Sequence, residues 1–415
     1  MAGAAQSQSG EEADERALGG LAAIWAVAAE MAVIFGLTTL PTPLYRDYAR
    51  AFGFPQPVVT LIYASYVVGT IGSLLFVGRL SDQIGRRKVS LMGVGVALAA
   101  ALLFLFATDL WLLFAARFVT GVSVGLCSGT AVAWMREVHG EGQGKPATLS
   151  SVSANLFGLG FGPLLSGVLA DFAPWPLRLS FAVYLVPLLG LAASVLRTRE
   201  TVEHRKPAEQ ASLKPRLGVP HELVGRFVAP ALICFVVFSL VGFYSAIVPR
   251  LMVERLSLAA HWATGGLVFG LFAAAMLAAW FWRDLASRYA MLWGAAAMLP
   301  ALVLLTIAQA AGSLVALLGA TLFGGMAQGL GYRGVLEVSN QMAPAGQRAE
   351  LVSLLIICGN LGLAVPVLGV GGVSVLAGPA TANLVFAGVI ALFSLVGLGF
   401  GFFRGEGSGK HQGSA

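Results

Sequence analysis

GRLSDQIGRRKV, residues 78–89, packs one carboxylate (Asp82) and four cations (Arg79, Arg86, Arg87, Lys88) into twelve positions. Apolar runs flank it on both sides, 58–77 before and 89–108 after. About 20 apolar residues are what a helix needs to cross the hydrocarbon of a bilayer, and lipid offers the backbone no partner, so runs of this length must be helices. The stretch is therefore a short polar connection between two membrane spans. Gly78 permits close helix approach at the membrane boundary, and Gly85 permits the tight turn that so short a connection requires. Asp82 stands one turn past the apolar run, placed to pair with a nearby arginine or to cap a neighbouring helix.

The rest of the chain has the same character. Of its 415 residues, 57% are hydrophobic and 11% charged, less than half the share of about 25% with which a soluble domain covers its surface. The formal net charge is +6, but the cations gather in the connections between apolar runs and form no basic face. That is the pattern of membrane topology, and it argues against nucleic acid as a partner. The three cysteines (Cys127, Cys234, Cys358) all fall inside apolar runs, which argues against a disulfide framework and a metal site. The acidic start predicts that the first apolar run stays as a span and is not cleaved as a signal peptide.

Twelve runs qualify as spans: 21–41, 58–77, 89–108, 110–135, 149–172 and 180–196, then 226–248, 260–282, 289–310, 313–336, 351–377 and 380–403. The third and fourth, and the eleventh and twelfth, are joined so tightly that a count of eleven stays open. With the N-terminus inside, twenty cations fall on the inner side and five (Arg46, Arg50, Arg178, Arg250, Arg255) on the outer. This positive-inside bias puts both termini in the cytoplasm. The longest polar stretch divides the chain into a tail (1–20), a six-helix bundle (21–196), a linker (197–225), a second six-helix bundle (226–403) and a tail (404–415). The halves echo one another: Asp82 and Arg86 recur as Asp284 and Arg288, and Pro163 recurs at nearly the same offset as Pro366. Such repeats are a recurring transporter plan. The expected fold is an all-α integral membrane protein of twelve transmembrane helices in two pseudo-symmetric six-helix bundles.

The connection at 78–88 resembles the loop signature of the major facilitator superfamily, G-x-L-x-D-x-x-G-R-[RK]-[RK], and lies between the expected pair of spans. The resemblance implies a gating latch that holds the two halves together on the cytoplasmic side, with Gly78, Asp82, Gly85, Arg86 and Arg87 as its residues. In the fourth span Arg117, Gly121, Gly125 and Gly129 recur every four residues and share one face. The glycines alone are ordinary helix packing, but a cation inside a span is retained where it faces a partner or an aqueous cavity. Arg117 resembles the superfamily's fourth-helix arginine, linked there to proton handling; a structural ion pair is the other reading. Gly158, Gly162, Pro163 and Gly167 in the fifth span resemble the glycine-proline motif of its drug:proton antiporter subfamilies. The second half keeps the proline (LGLAVPVLG) and loses the Gly-Pro pair, an asymmetry those exporters show.

Glu30 is the acidic residue near the middle of a span; Asp109, Asp171 and Glu337 stand at span ends. An acidic residue at such depth is a functional suspect, either carrying a coupling proton or neutralising Arg117, since helices one and four are neighbours in this fold. The resemblance places the substrate cavity between the halves. Tyr63, Tyr66, Asn155, Phe238, Tyr244, Gln328 and Asn360 are the candidates of suitable type and depth, and their character suits an amphipathic neutral or cationic compound. The histidines lie in loops and tails or, for His261, at the very start of a span, and no nucleotide-binding GxxxxGK[ST] occurs, so neither an enzyme nor an ATP-driven pump is expected. These readings converge on a proton-coupled exporter of small amphipathic compounds. It is expected as a monomer in the cell membrane, with no cofactor beyond the proton as coupling ion. The alternative is a symporter or facilitator taking up a small metabolite.

Overall fold

A computed structural model describes residues 20–77, 80–140, 142–202, 221–344 and 348–403. Gly78 lies outside the described residues, as do most of the linker and nearly all of both tails. The first bundle comprises α1 (Gly20–Thr39), α2 (Gln56–Val77), α3 (Arg86–Leu105), α4 (Leu110–His139), α5 (Gly144–Phe172) and α6 (Leu179–Arg197). The second comprises α7 (His221–Ala246), α8 (His261–Phe281), α9 (Ser287–Ala311) and α10 (Leu314–Met342), then one long helix, Arg348–Phe403. The backbone of this last helix breaks at Gly378 (φ 82°), and Pro379 follows without an amide to donate. It is therefore two spans, α11 (348–377) and α12 (379–403), which brings the eleven long apolar segments among the described residues to twelve crossings.

The helices outgrow the apolar runs where nothing stops them. Lipid fixes the apolar length, but a helix leaving the hydrocarbon continues until the backbone turns. Thus α4 runs on to His139, ending at Gly140 (φ 87°), and α5 begins at Gly144. Two starts carry N-cap side chains: Asp109 accepts a hydrogen bond from the Leu112 amide at 2.9 Å ahead of α4, and Ser313 does so from Ala316 at 3.3 Å ahead of α10. Past α1 the chain makes a 3-10 turn, Thr42–Leu44, and a short helix, Tyr45–Phe52, whose Tyr48 hydroxyl donates to the Leu177 carbonyl at 3.0 Å.

Side-chain-free surfaces set the helix spacing. A Cβ at Gly158 would collide with the Ala32 carbonyl of α1, and one at Gly162 with that of Gly36, so α5 lies directly on α1. In the second bundle α11 lies on α7 in the same way, through Gly362 against the Phe235 carbonyl. The bundles meet along two seams, α5 with α8 and α2 with α11. Both seams are tight at the end away from the 80–88 connection, where Gly167 abuts the His261 carbonyl and Gly371 abuts the Thr60 side chain. At the cation-rich end a gap separates Arg136, Lys145 and Thr148 of the first bundle from Glu337, Asn340 and Gln341 of the second.

Candidate functional site

A central cavity lies between the bundles, lined from the first by Thr38, Tyr63, Tyr66, Arg117, Ser128 and Asn155, and from the second by Phe238, Tyr332, Leu355, Asn360 and Leu363, among others. Arg117 on α4 is fully buried. Its Nη1 donates to the Thr38 carbonyl, where α1 ends, and its guanidinium stands 5.7, 5.1 and 5.3 Å from the ring centroids of Tyr45, Tyr63 and Tyr66. Each such contact contributes up to about 2 kcal/mol when water is excluded, against a desolvation cost of several kcal/mol for one buried ion. Nε and Nη2 meet no acceptor among the described residues. The cage holds the cation without neutralising it.

Glu30 is fully buried as well, and both its carboxylate oxygens lack a hydrogen-bond partner. Its polar neighbours are Ser90 on α3 and Cys127 on α4. Of the two readings of Glu30, its pairing with Arg117 is not made in this conformation: among the described residues neither group has an ion-pair partner within 4 Å. Helices α1 and α4 are neighbours as anticipated, and the register explains the gap. Arg117 meets α1 at Thr38, eight residues or about 12 Å along the axis from Glu30, while Glu30 meets α4 at Cys127. Glu30 therefore sits beside the cavity, displaced toward the cation-rich end.

At that end the polar knot closes on itself. Asp82 contacts Arg86 directly; Arg86 Nη2 lies 2.8 Å from Glu137 on α4 and Nη1 donates to Ser81 at 2.7 Å. Glu200, just past α6, accepts from the Arg86 and Arg87 amides at 2.8 and 3.2 Å, so a carboxylate caps the first turn of α3. Gly85, at φ 110°, is the turn that brings this about. All these partners belong to the first 202 residues, so Arg86 here braces its own bundle. The second-half echo is looser: Arg288 donates to the Gly401 and Phe402 carbonyls at the end of α12, while Asp284 is 3.8 Å from Arg283. Arg333, one of the twenty cations assigned to the inner side, is buried in α10 and donates to the Ala279, Trp282 and Leu285 carbonyls where α8 ends.

At the opposite end one histidine spans the seam. His261 Nδ1 bonds to Asp171 of α5 at 2.6 Å, and Nε2 lies 2.7 Å from Asp47 of the short helix, close in distance though off the ring's donor axis. Asp171 also accepts from the Trp262 amide at 2.8 Å, capping α8 across the two bundles.

The Major Facilitator Superfamily sequence profile matches residues 26–366, most of the chain. The chain belongs to this superfamily. It is 32% identical over 177 residues to the cephamycin export protein CmcT of Amycolatopsis lactamdurans, covering 42% of this chain and 36% of that protein. It is 31% identical over 180 residues to multidrug resistance protein MdtL of Shewanella oneidensis (42% and 43%) and 27% identical over 159 residues to multidrug resistance protein D of Escherichia coli (38% and 40%). The matched part thus spans less than half the length of these relatives. The crystal structure of the human organic anion transporter MFSD10 (TETRAN) superposes with a TM-score of 0.67 at 16% identity, covering 91% of this chain and 99% of that one, a likeness of fold.

The sequence-predicted residues of this superfamily member divide by position. Tyr63, Tyr66, Asn155, Phe238 and Asn360 line the cavity. Tyr244 and Gln328 do not: the Tyr244 hydroxyl shares a 2.9 Å hydrogen bond with Thr321 in the interior of the second bundle, and Gln328 is buried with its amide unpartnered. Gly158, Gly162, Pro163 and Gly167 lie along α5, between α1 and α8. Tyr332 and Tyr45 escaped the sequence reading. Tyr45 follows the predicted end of the first span, and only the turn and short helix after α1 bring its ring to the Arg117 guanidinium. Tyr332 adjoins Arg333 in a stretch read as the inner margin of a span.

Proposed function

We propose that this superfamily member is a proton-driven exporter of small amphipathic compounds, working by alternating access in the cell membrane with both termini cytoplasmic. The cation-rich end is then the cytoplasmic side, with the gap between Lys145 and Glu337 as the inner mouth and the His261 seam as the outer closure. Glu30 carries the reading. A carboxylate enclosed within a span, with no cation within 4 Å and only the Ser90 hydroxyl and Cys127 thiol as polar neighbours, holds a proton while enclosed and releases it when water reaches it. The α1–α5 contact through Gly158 and Gly162 lets α1, which bears Glu30, move with its bundle as the two halves rock. The relatives' names, cephamycin export and multidrug resistance, point the same way. The proton is the coupling ion, no other cofactor is needed, and a monomer suffices.

Flux in proteoliposomes under an imposed pH gradient tests this. Glu30→Gln removes the titrating group while keeping its shape, and gradient-driven transport is expected to fall to background, with substrate exchange at zero gradient persisting. Undiminished gradient-driven pumping by Glu30→Gln removes Glu30 from the mechanism. Accumulation in the same direction as proton flow identifies an uptake symporter instead.

A further inference from the structure

Arg117 enters the central cavity with its hydrogen-bonding fork unspent. Nη1 is committed to the Thr38 carbonyl, but Nε and Nη2 are enclosed and meet no acceptor among the described residues. These two nitrogens present parallel N–H groups along one edge of the guanidinium, the edge that grips a carboxylate bidentately. The tyrosine rings around it ease the burial of a cation, and although the Tyr45 hydroxyl lies near the guanidinium it makes no well-formed hydrogen bond to Nε or Nη2. Glu30 is not within reach, because the register of α1 on α4 sets it beside Cys127. Of the described residues lining the cavity, Arg117 is the one that carries a charge. The cavity is therefore electropositive at one point and uncharged elsewhere.

The facing wall is apolar and aromatic. Phe238 and Tyr332 meet edge to face at 5.3 Å, with Leu355 and Leu363 beside them. Asn360 spends its Nδ2 on the Ile356 carbonyl at 2.9 Å and leaves Oδ1 buried without a donor. A ligand complementary to both walls has an anionic head and an apolar body, with room for one N–H or O–H donor toward Asn360. A cationic head would meet Arg117 with no carboxylate in the lining to offset the repulsion. We infer that the substrates are amphipathic monoanions, whose carboxylate or sulfonate sits on Nε and Nη2 of Arg117 and whose apolar body lies against Phe238 and Tyr332. The word substrate rests on the export reading; the charge preference rests on the cavity.

Three probes with one naphthyl body separate the possibilities: 1-naphthaleneacetate, 1-naphthaleneacetamide and 1-naphthylmethylammonium. Equilibrium binding to the full chain in detergent is expected to favour the acetate over the amide by about tenfold or more, with the ammonium weakest. Arg117→Gln abolishes the advantage of the acetate, and Arg117→Lys, a point charge without the fork, keeps a smaller one. If Arg117→Gln fails to fold, the order of the three probes on the unaltered protein still decides. Equal binding of acetate and amide, or tightest binding of the ammonium, overturns the inference. Loss of the preference in Lys145→Gln also overturns it, since the anion would then be held at the inner mouth. Acetate bound at Arg117 but not pumped under a pH gradient upholds this inference and counts against proton-driven export. Pumping of the ammonium without the acetate does the reverse.

Discussion

Each nitrogen of the Arg86 guanidinium has its own work. Nε and Nη2 face Glu137, and Nη1 meets Ser81 and Asp82. Arg86→Ala leaves two carboxylates facing each other across an empty site. They are 34% and 40% exposed, so water compensates in part, and the expected loss is about 1–3 kcal/mol, below the cost of breaking a fully buried pair. Arg86→Lys supplies the charge without the three-way geometry and should recover less than half of that loss in thermal denaturation of the purified protein. Full recovery by lysine would mean that a point charge is all the site needs. The sequence shows Asp82 and Arg86 as neighbours because one helical turn separates them. It cannot show Glu137 and Glu200, 51 and 114 residues away, which reach Arg86 only through the packing of α4 and the end of α6. Glu30 and Arg117 teach the same lesson: depth in the membrane is legible from one apolar run, whereas the register of two runs is not.

Between elements, His261 bridges the seam at the end that the proposed orientation places outside, tying α8 to α5 through Asp171 and to the short helix through Asp47. Carboxylate oxygens accept and do not donate, so a ring with one on each nitrogen calls for a proton on both. Arg46 adds a contact from the same short helix, donating to the Ala259 carbonyl at 3.4 Å, and Arg50 lies near Asp47 as a further positive charge. The attraction is present while the imidazole is charged and is lost as pH rises and the ring gives up its second proton. Outer closure should therefore be firmest in acid, the condition at the outer face when the gradient drives export. Thermal stability measured from about pH 5 to pH 8 should fall more in the unaltered protein than in His261→Gln, which keeps a donor but never carries the charge. Parallel curves for the two proteins would show that the bridge is held by hydrogen bonding alone. Nothing in the order of the chain announced this cluster, since its three members are 47, 171 and 261, and it exists only where two bundles touch.

For the whole molecule, the twelve-span plan was legible because hydrocarbon thickness dictates run length, whereas the tight joint between the last two runs, which left a count of eleven open, is resolved by the backbone break at Gly378 ahead of Pro379. The cavity was legible only in part. Helix faces can be read from a 3.6-residue period, but runs that are apolar all round carry no strong stripe, so Tyr244 and Gln328 looked as suitable as Tyr63 and Asn360. The proposed alternating access needs a conditional contact between the bundles, and the two seams are tight at the His261 end while a gap parts the bundles at the cation-rich end. A covalent tie at the outer seam makes that condition testable. A Cβ on Gly371 of α11 would stand 3.5 Å from Cβ of Thr60 on α2, within the span of about 3.5–4.5 Å that a disulfide bridges. Thr60→Cys with Gly371→Cys, in a chain with Cys358 replaced by serine, should cross-link on mild oxidation. The native Cys127 and Cys234 are buried and need no change. Oxidised protein should bind ligand from the cytoplasmic side and carry out no net transport, and reductant should restore flux. Full flux through the cross-linked protein would mean that the α2–α11 seam stays shut throughout the cycle, and that the substrate leaves by some path other than the parting of the two bundles.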